Sequence, residues 1–481
     1  MKKKIITVVV ALLVTTLAAA AGILYFHDTY LVLDGNAYRR DLTALDLSGA
    51  QLTQLESIPE LEKLETLDLR GTGLTAQQYE QLRSQLPDCE ILWQVPFQGA
   101  FLETDIQDLT ITSITDEEME TLSYLAQLET IDATACTDLD ALLRLQKMYP
   151  DCEVCYQVTI GGQTVSNDAA SLKIADADTR EMMQKLPYLP LMKNVSFAGT
   201  TPENDAIYEL KKAYPEIEFL WCFELLGVPV DSNIKEIDLS GIEMESVEEV
   251  EESLKYFNCL EKVVMCDCGI SSEEMDALWK RHPETRFVWS VKVGKMKLRT
   301  DITTLMPYQY GYSNGKDLYD SDCAEMKYLV DMVCMDLGHQ TVKDLSFVAY
   351  MPNLEYLLLC DNGIKDISPL AGAPKLKYLE LLLNPLTDVS ALAACPALED
   401  VNLCSTPVTD IAPLLQLQNI KNLFMSTRYL NEEQIRQLEQ AYPDANVMIH
   451  DGRATGHGWR NLQNYFNQRD LLGMEYMITY E

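Results

Sequence analysis

Basic residues are scarce. The 481-residue chain holds 38 lysines and arginines against 74 aspartates and glutamates, for a formal net charge of −36. So acidic a surface repels a phosphate backbone, which excludes a nucleic-acid partner. Histidine is scarcer still. His27, His282, His339, His450 and His457 are scattered, and no pair has metal-ligand spacing. No G-x-S-x-G is present, and Gly161-Gly162, like Gly311 and Gly315, lacks the Lys-Ser/Thr of a phosphate loop. The residues therefore call for no catalytic centre, no metal and no cofactor. Hydrophobic residues still make up 47%, too many for a disordered acidic chain.

Long hydrophobic runs are also few. The one at 5–26 has 22 residues and no charge, and it follows Lys2-Lys3-Lys4. As a helix it spans about 33 Å, enough for a hydrocarbon core of ~30 Å. The lysines leave a stub, 1–4, in the cytoplasm and place the rest outside. Alanines at 18–21 also offer a cleavage site, so 5–26 reads either as a transmembrane signal-anchor or as a signal peptide. The expected location is a single-pass cell-membrane protein with its C-terminal part extracytoplasmic, or a secreted one if the segment is cleaved. No L-P-x-T-G sorting motif occurs, and no second anchor follows.

What the chain has in abundance is repetition. Four segments align at a spacing of 22: Lys343-Asp-Leu-Ser-Phe, Lys365-Asp-Ile-Ser-Pro-Leu, Thr387-Asp-Val-Ser-Ala-Leu and Thr409-Asp-Ile-Ala-Pro-Leu. Leu354, Leu376, Leu398 and Ile420 form one downstream column; Leu357, Leu379, Val401 and Leu423 form the next; Leu359, Leu381, Leu403 and Met425 form a third. Asn362 and Asn384 follow the strand in two units, but Thr406 and Arg428 replace them in the last two, so the asparagine ladder is expected to break there. One such unit cannot bury its own apolar side, whereas stacked neighbours can. This L-x-x-L-x-L-x-x-N-x-L pattern resembles the leucine-rich repeat family. The 22-residue length and the D-I-S-P-L entry are similar to the internalin type found on Gram-positive surface proteins. The resemblance implies an α/β solenoid with parallel strands on a concave face and helices or irregular turns on the convex face.

A longer period hides the same repeat upstream. Pro87-Asp-Cys-Glu-Ile-Leu-Trp recurs at Pro150, Pro215 and Pro283, at spacings of 63, 65 and 68. Each interval holds further strands, such as those of Leu45/Leu47 and Leu67/Leu69, and a helical run before its proline, as at 77–86 and 273–282. The expected organisation is an N-terminal cap at 27–41, divergent repeats in four units of about 65 residues at 42–299, and a Tyr-rich insertion or junction at 300–331. Regular repeats at 332–450 and a C-terminal cap at 451–481 complete it, with about 18 strands in all.

The same columns dispose of most apparent motifs. Cys152-Glu-Val-Cys155 falls in positions held by Cys89, Ile217 and Thr285, and by Leu92, Leu220 and Val288, so it reads as structural thiols. Cys266-Asp-Cys268 lacks the partners of a zinc site. Cys360 and Cys404 stand two repeats apart, near 10 Å at ~4.8 Å per strand, too far for a disulfide. The 13 cysteines are expected to be mostly buried single thiols. Trp93, Trp221, Trp289, Tyr156 and Ile449 share an inward column and read as core.

The outward strand positions carry the functional expectation. Tyr356, Leu358, Tyr378, Leu382 and Phe424 are expected to form an exposed apolar patch, which together with Glu380 and Asn402 would bind a protein or peptide partner. In the first repeats the corresponding positions are Asp46, Asp68, Asp132 and Asp238, an acidic face. The expected function is a membrane-anchored binding protein for adhesion, envelope scaffolding or sensing. Two other readings stay open. One is an envelope enzyme using Asp317, Asp320, Asp322, His450 or His457 in 300–331 or 451–481; dispersed side chains there would count against it. The other is a surface spacer, which a patch covered by other parts of the chain would favour.

Overall fold

The computed structural model describes residues 15–476 apart from 18, 21, 23–24, 176–177, 198–202, 313–315 and 452–453. Most of 5–26 lies outside these residues; among the described ones, no helix is long and apolar enough to cross a membrane. The chain divides into two compact units, Met1–Leu220 and Trp221–Glu481.

In the first unit, three parallel strands alternate with an antiparallel hairpin. Ala44–Asp46, Thr66–Asp68 and Glu90–Leu92 pair in parallel with Leu45, Leu67 and Ile91 in register. The hairpin Gln94–Phe97 with Ala100–Glu103 follows. The pattern repeats with the sheet of Asp108–Thr110, Thr130–Asp132 and Glu153–Cys155, then the hairpin Gln157–Ile160 with Gln163–Ser166. The segment expected as an N-terminal cap is itself such a hairpin, Tyr30–Leu33 with Asn36–Arg39. The hairpins were not foreseen. Each turns on two residues of positive φ, such as Gln98 (48°) and Gly99 (78°), which is the geometry that a two-residue loop between twisted strands demands.

The helix before each proline forms as expected. Thr75 caps Ala76–Gln85 in a reciprocal box with Gln78, and Asn431 does the same for Glu432–Ala441 with Gln434. Trp93, Tyr156, Trp221 and Trp289 are all buried, as core residues should be. Trp93 stacks on Tyr79 at 4.1 Å between ring centres. The outward aspartates serve the turns. Asp46 accepts from the Ser48 amide at 2.9 Å, Asp132 from Thr134 at 3.0 Å and Asp238 from Ser240 at 2.9 Å.

The second unit opens with one more three-stranded sheet, Glu236–Asp238, Lys262–Val264 and Arg286–Val288, between two hairpins. A seven-stranded parallel sheet follows. Its strands are β1 (Thr304–Leu305), β2 (Cys334–Asp336), β3 (Tyr356–Leu358), β4 (Tyr378–Glu380), β5 (Asp400–Asn402), β6 (Asn422–Met425) and β7 (Asn446–Ile449). Residues 300–331 therefore do carry a repeat column, contrary to expectation. Leu305 pairs with Met335, and Leu318, Met326 and Leu329 are buried below. On the far side of the sheet run short 3-10 turns, including Ser368–Gly372 and Ser390–Ala394. The aspartate of each D-x-S entry accepts the amide two residues on, as Asp366 does from Ser368 at 2.8 Å. Successive turns touch. A Cβ on Gly372 would lie 2.5 Å from the Ala349 Cα, so only glycine fits.

All 13 cysteines are free thiols. Burial pushes Cys395 up to about 11 and Cys323 and Cys404 up to about 12, which removes their thiolate at neutral pH. Cys222 is exposed. In the native protein iodoacetamide should alkylate Cys222 first and leave Cys323, Cys395 and Cys404 unmodified until denaturant is added. Peptide mass mapping checks this, and equal rates at Cys222 and Cys404 would contradict it.

Candidate functional site

The parallel register of the large sheet arranges its outward residues in two rows. One row is Cys334, Tyr356, Tyr378, Asp400, Asn422 and Asn446; the other is Asp336, Leu358, Glu380, Asn402, Phe424 and Met448. Every residue of the expected patch thus lies on one face, together with Leu382, Cys360 and Cys404 just beyond the strand ends. The patch is not exposed, and the expectation on that point is corrected. Tyr378, Glu380, Asn402 and Phe424 have no exposure at all, and Tyr356, Leu358 and Leu382 are buried.

The chain itself covers them. Residues 454–474 lie across the face, so 451–481 does not merely close the end of the stack as a cap would. Trp459, Tyr465 and Leu472 pack into one apolar cluster with Tyr356, Leu358, Tyr378, Leu382 and Phe424. The Trp459 ring stacks on Tyr378 at 5.3 Å and leans on Phe424 at 4.9 Å. The helix Gln463–Leu471 turns unusual residues inward, since Asn464, Gln468 and Arg469 are buried. Of these, Asn464 meets the polar groups of the sheet. Asn464 Nδ2 donates to Glu399 at 2.8 Å and to Asp400 at 3.0 Å. Asn402 Nδ2 donates to the Ala454 carbonyl at 2.7 Å.

Glu380 is the electrostatic centre of this contact. Its Oε1 accepts from the Tyr378 hydroxyl, from Trp459 Nε1 at 2.8 Å and from Arg460 at 3.1 Å. Arg460 also stacks over Tyr465 at 4.9 Å. Burial raises the carboxyl of Asp400 above the usual range, opposed by the bonds from Asn422 and Asn464.

The acid and base candidates do not converge. Asp320 accepts from the amides of Lys343 at 2.6 Å and Asp344 at 3.0 Å, and Asp322 caps its own turn through the Tyr319 amide at 3.0 Å. The His450 and His457 rings lie 4.1 Å apart, tilted by 55°, and Phe424 meets His450 edge-on. Burial, then His457, lowers the His450 pKa. Among the described residues no group of three or more His, Cys, Asp or Glu could hold a metal ion. Sequence reasoning read 459–474 as an amphipathic cap for the end of the stack and so did not place Trp459, Arg460 and Asn464 on the outward face.

Stacked parallel strands, a D-x-S entry to each turn and buried asparagines after the strand are the architecture of leucine-rich repeats. Residues 352–394 match the family described as leucine rich repeats (2 copies). Among solved structures, internalin C2 from Listeria monocytogenes is 19% identical over 45% of this chain and 80% of its own, with a TM-score of 0.24. An internalin F from the same organism is 14% identical over 88% of this chain and 87% of its own, at 0.21. A leucine-rich-repeat protein from Leptospira interrogans is 16% identical over 86% of this chain and 84% of its own, at 0.23. No curated protein matches the chain.

Proposed function

We propose that the protein is a non-catalytic, extracytoplasmic binding protein, held at the cell membrane through residues 5–26, whose large sheet engages a protein or peptide partner. The observation that carries this reading is the seating of 454–474 on the outward face. Aromatic anchors in an apolar cluster, an arginine on a buried carboxylate and side-chain amides on strand residues are the means by which a folded surface holds a peptide. The tail is then a resident ligand that a partner displaces. The buried, free thiols suit an oxidising exterior, since a thiol shielded from oxidants and from other thiols forms no bridge.

The same covering favours the spacer reading if the tail never leaves. Trp459→Ala separates the two. With a membrane-impermeant crosslinker on intact cells, the variant should capture its partner at least ten times more efficiently than the wild type. Equal capture by both would make the tail a permanent cover and support the spacer. Failure of either form to react on intact cells would sink the exterior location.

A further inference from the structure

Beneath the tail, at the β2 side of the sheet, lies a cavity of about 370 Å³, within the ~300–1,000 Å³ of small-molecule pockets. Asp336 and Glu380 line it in the same row, two strands apart, with Leu358 between them as floor. Arg460 and Arg469 line it from the tail. Exposed Tyr308 and half-buried His339 also contribute to the wall.

The polar groups here are unevenly used. Glu380 has no exposure, and its Oε1 takes three donors while its Oε2 has no partner. A buried carboxylate oxygen left bare costs about 1–3 kcal/mol or more, so it calls for a donor. Asp336 accepts the Gly338 amide at 2.9 Å, and burial raises its carboxyl above the usual range. The charge on Glu380 adds to that shift and the two arginines oppose it. On the other side, Arg460 spends one N–H on Glu380 out of the five that a guanidinium carries. Arg469 is buried and gives Nε to the Glu475 carbonyl at 2.8 Å. The cavity thus offers Asp336 and one unpartnered oxygen of Glu380 on the sheet side, and on the tail side a guanidinium that uses one of its five N–H groups on Glu380.

We infer that this cavity binds a small zwitterion of the amino-acid class, its ammonium group between Glu380 Oε2 and Asp336 and its carboxylate on Arg460. Such a ligand gives the bare oxygen a donor and sets a cation beside Asp336. It also bridges sheet and tail, so binding holds 454–474 in place. The inference rests on the same face as the partner reading but needs the opposite state. The ligand requires a docked tail and partner capture requires a released one, so each can fail without the other.

The test is thermal unfolding and calorimetric titration of the full chain with each of the twenty standard amino acids at 10 mM; methylammonium and acetate serve as half-ligands. At least one amino acid should raise the melting temperature saturably, by mass action on the folded state, and neither half-ligand should match it. Asp336→Asn retains the oxygen that accepts from Gly338 and should weaken binding at least tenfold. Glu380→Gln places an amide where the ammonium belongs and should abolish binding. If Glu380→Gln fails to fold, Asp336→Asn decides alone. No stabilisation by any amino acid, as when water alone fills the cavity, overturns the inference. Equal affinity in the wild type and Asp336→Asn also overturns it.

Discussion

Replacing Trp459 with alanine should release residues 454–474 from the sheet. The ring is fully buried, stacks on Tyr378 and Phe424, and carries a hydrogen bond to Glu380. Removing a buried tryptophan costs about 3–5 kcal/mol, and here the loss falls on one docked segment and spares the repeats. The sheet keeps its ladder and its inward leucines, which alternate to the face opposite the tail. Hydrogen exchange should show protection lost throughout Gln463–Leu471 and kept in β3 to β5. A dye for exposed apolar surface should bind the variant, because Tyr356, Leu358, Tyr378 and Phe424 become exposed together. Unchanged exchange in that helix would show that the polar contacts of Asn464 and Asn402 hold the tail alone.

Asn384→Ala should be the most damaging single change in the repeats. Asn384 is buried, and its Oδ1 accepts from the amides of Asn362 at 3.1 Å, Gly363 at 2.9 Å and Ile364 at 3.0 Å. Its Nδ2 donates to the carbonyls of Leu359 at 2.9 Å and Leu381 at 2.8 Å. Alanine leaves five buried backbone groups without partners. At about 1–3 kcal/mol for each that stays unsatisfied, the expected loss is about 4 kcal/mol or more even after partial relaxation. Thr406, one repeat on, donates only to its own Leu403 carbonyl, so Thr406→Val should cost no more than about 1.5 kcal/mol. Urea unfolding read locally by hydrogen exchange over 357–403 measures both, and similar losses would refute the ladder argument.

Much of the fold was legible because a parallel stack puts each residue against the one a repeat away. Leu357, Leu379, Val401 and Leu423 are a column in the sequence and adjacent partners in the sheet. The broken asparagine ladder was legible for the same reason, and so were the structural thiols of Cys152 and Cys155. The hairpins were not read, although their signal is present. Gln94-Val-Pro-Phe-Gln-Gly99 recurs as Gln157-Val-Thr-Ile-Gly-Gly162, a period-2 strand ending in a two-residue turn. Attention to the 22-residue period hid it. β1 was missed because two residues, Thr304 and Leu305, are too short for any periodicity, and the next strand begins only at Cys334.

The candidate site divides along the same line. That Tyr356, Leu358, Tyr378, Glu380, Leu382, Asn402 and Phe424 share one face follows from strand alternation alone, and the rows of the sheet bear that geometry out. Their burial does not follow from it. Gln463–Leu471 is rich in Asn, Gln and Arg and looks like a solvated helix. Asn464 turns inward onto Glu399 and Asp400, and Arg460 just before the helix meets Glu380.

By itself, then, the sequence determined the repeat, its parallel strands, its inward core and which residues share the outward face. Each of these depends on contacts one period apart that the chain states over and over. Only the tertiary structure decided what occupies that face. Trp459 meets Glu380 across 79 residues, a single pairing with no repetition to announce it. The lack of basic residues in the chain gains a local meaning from that pairing. Two of the few arginines, Arg460 and Arg469, line the cavity beside Asp336 and Glu380, Arg460 bonds Glu380, and one oxygen of Glu380 is still left unmatched.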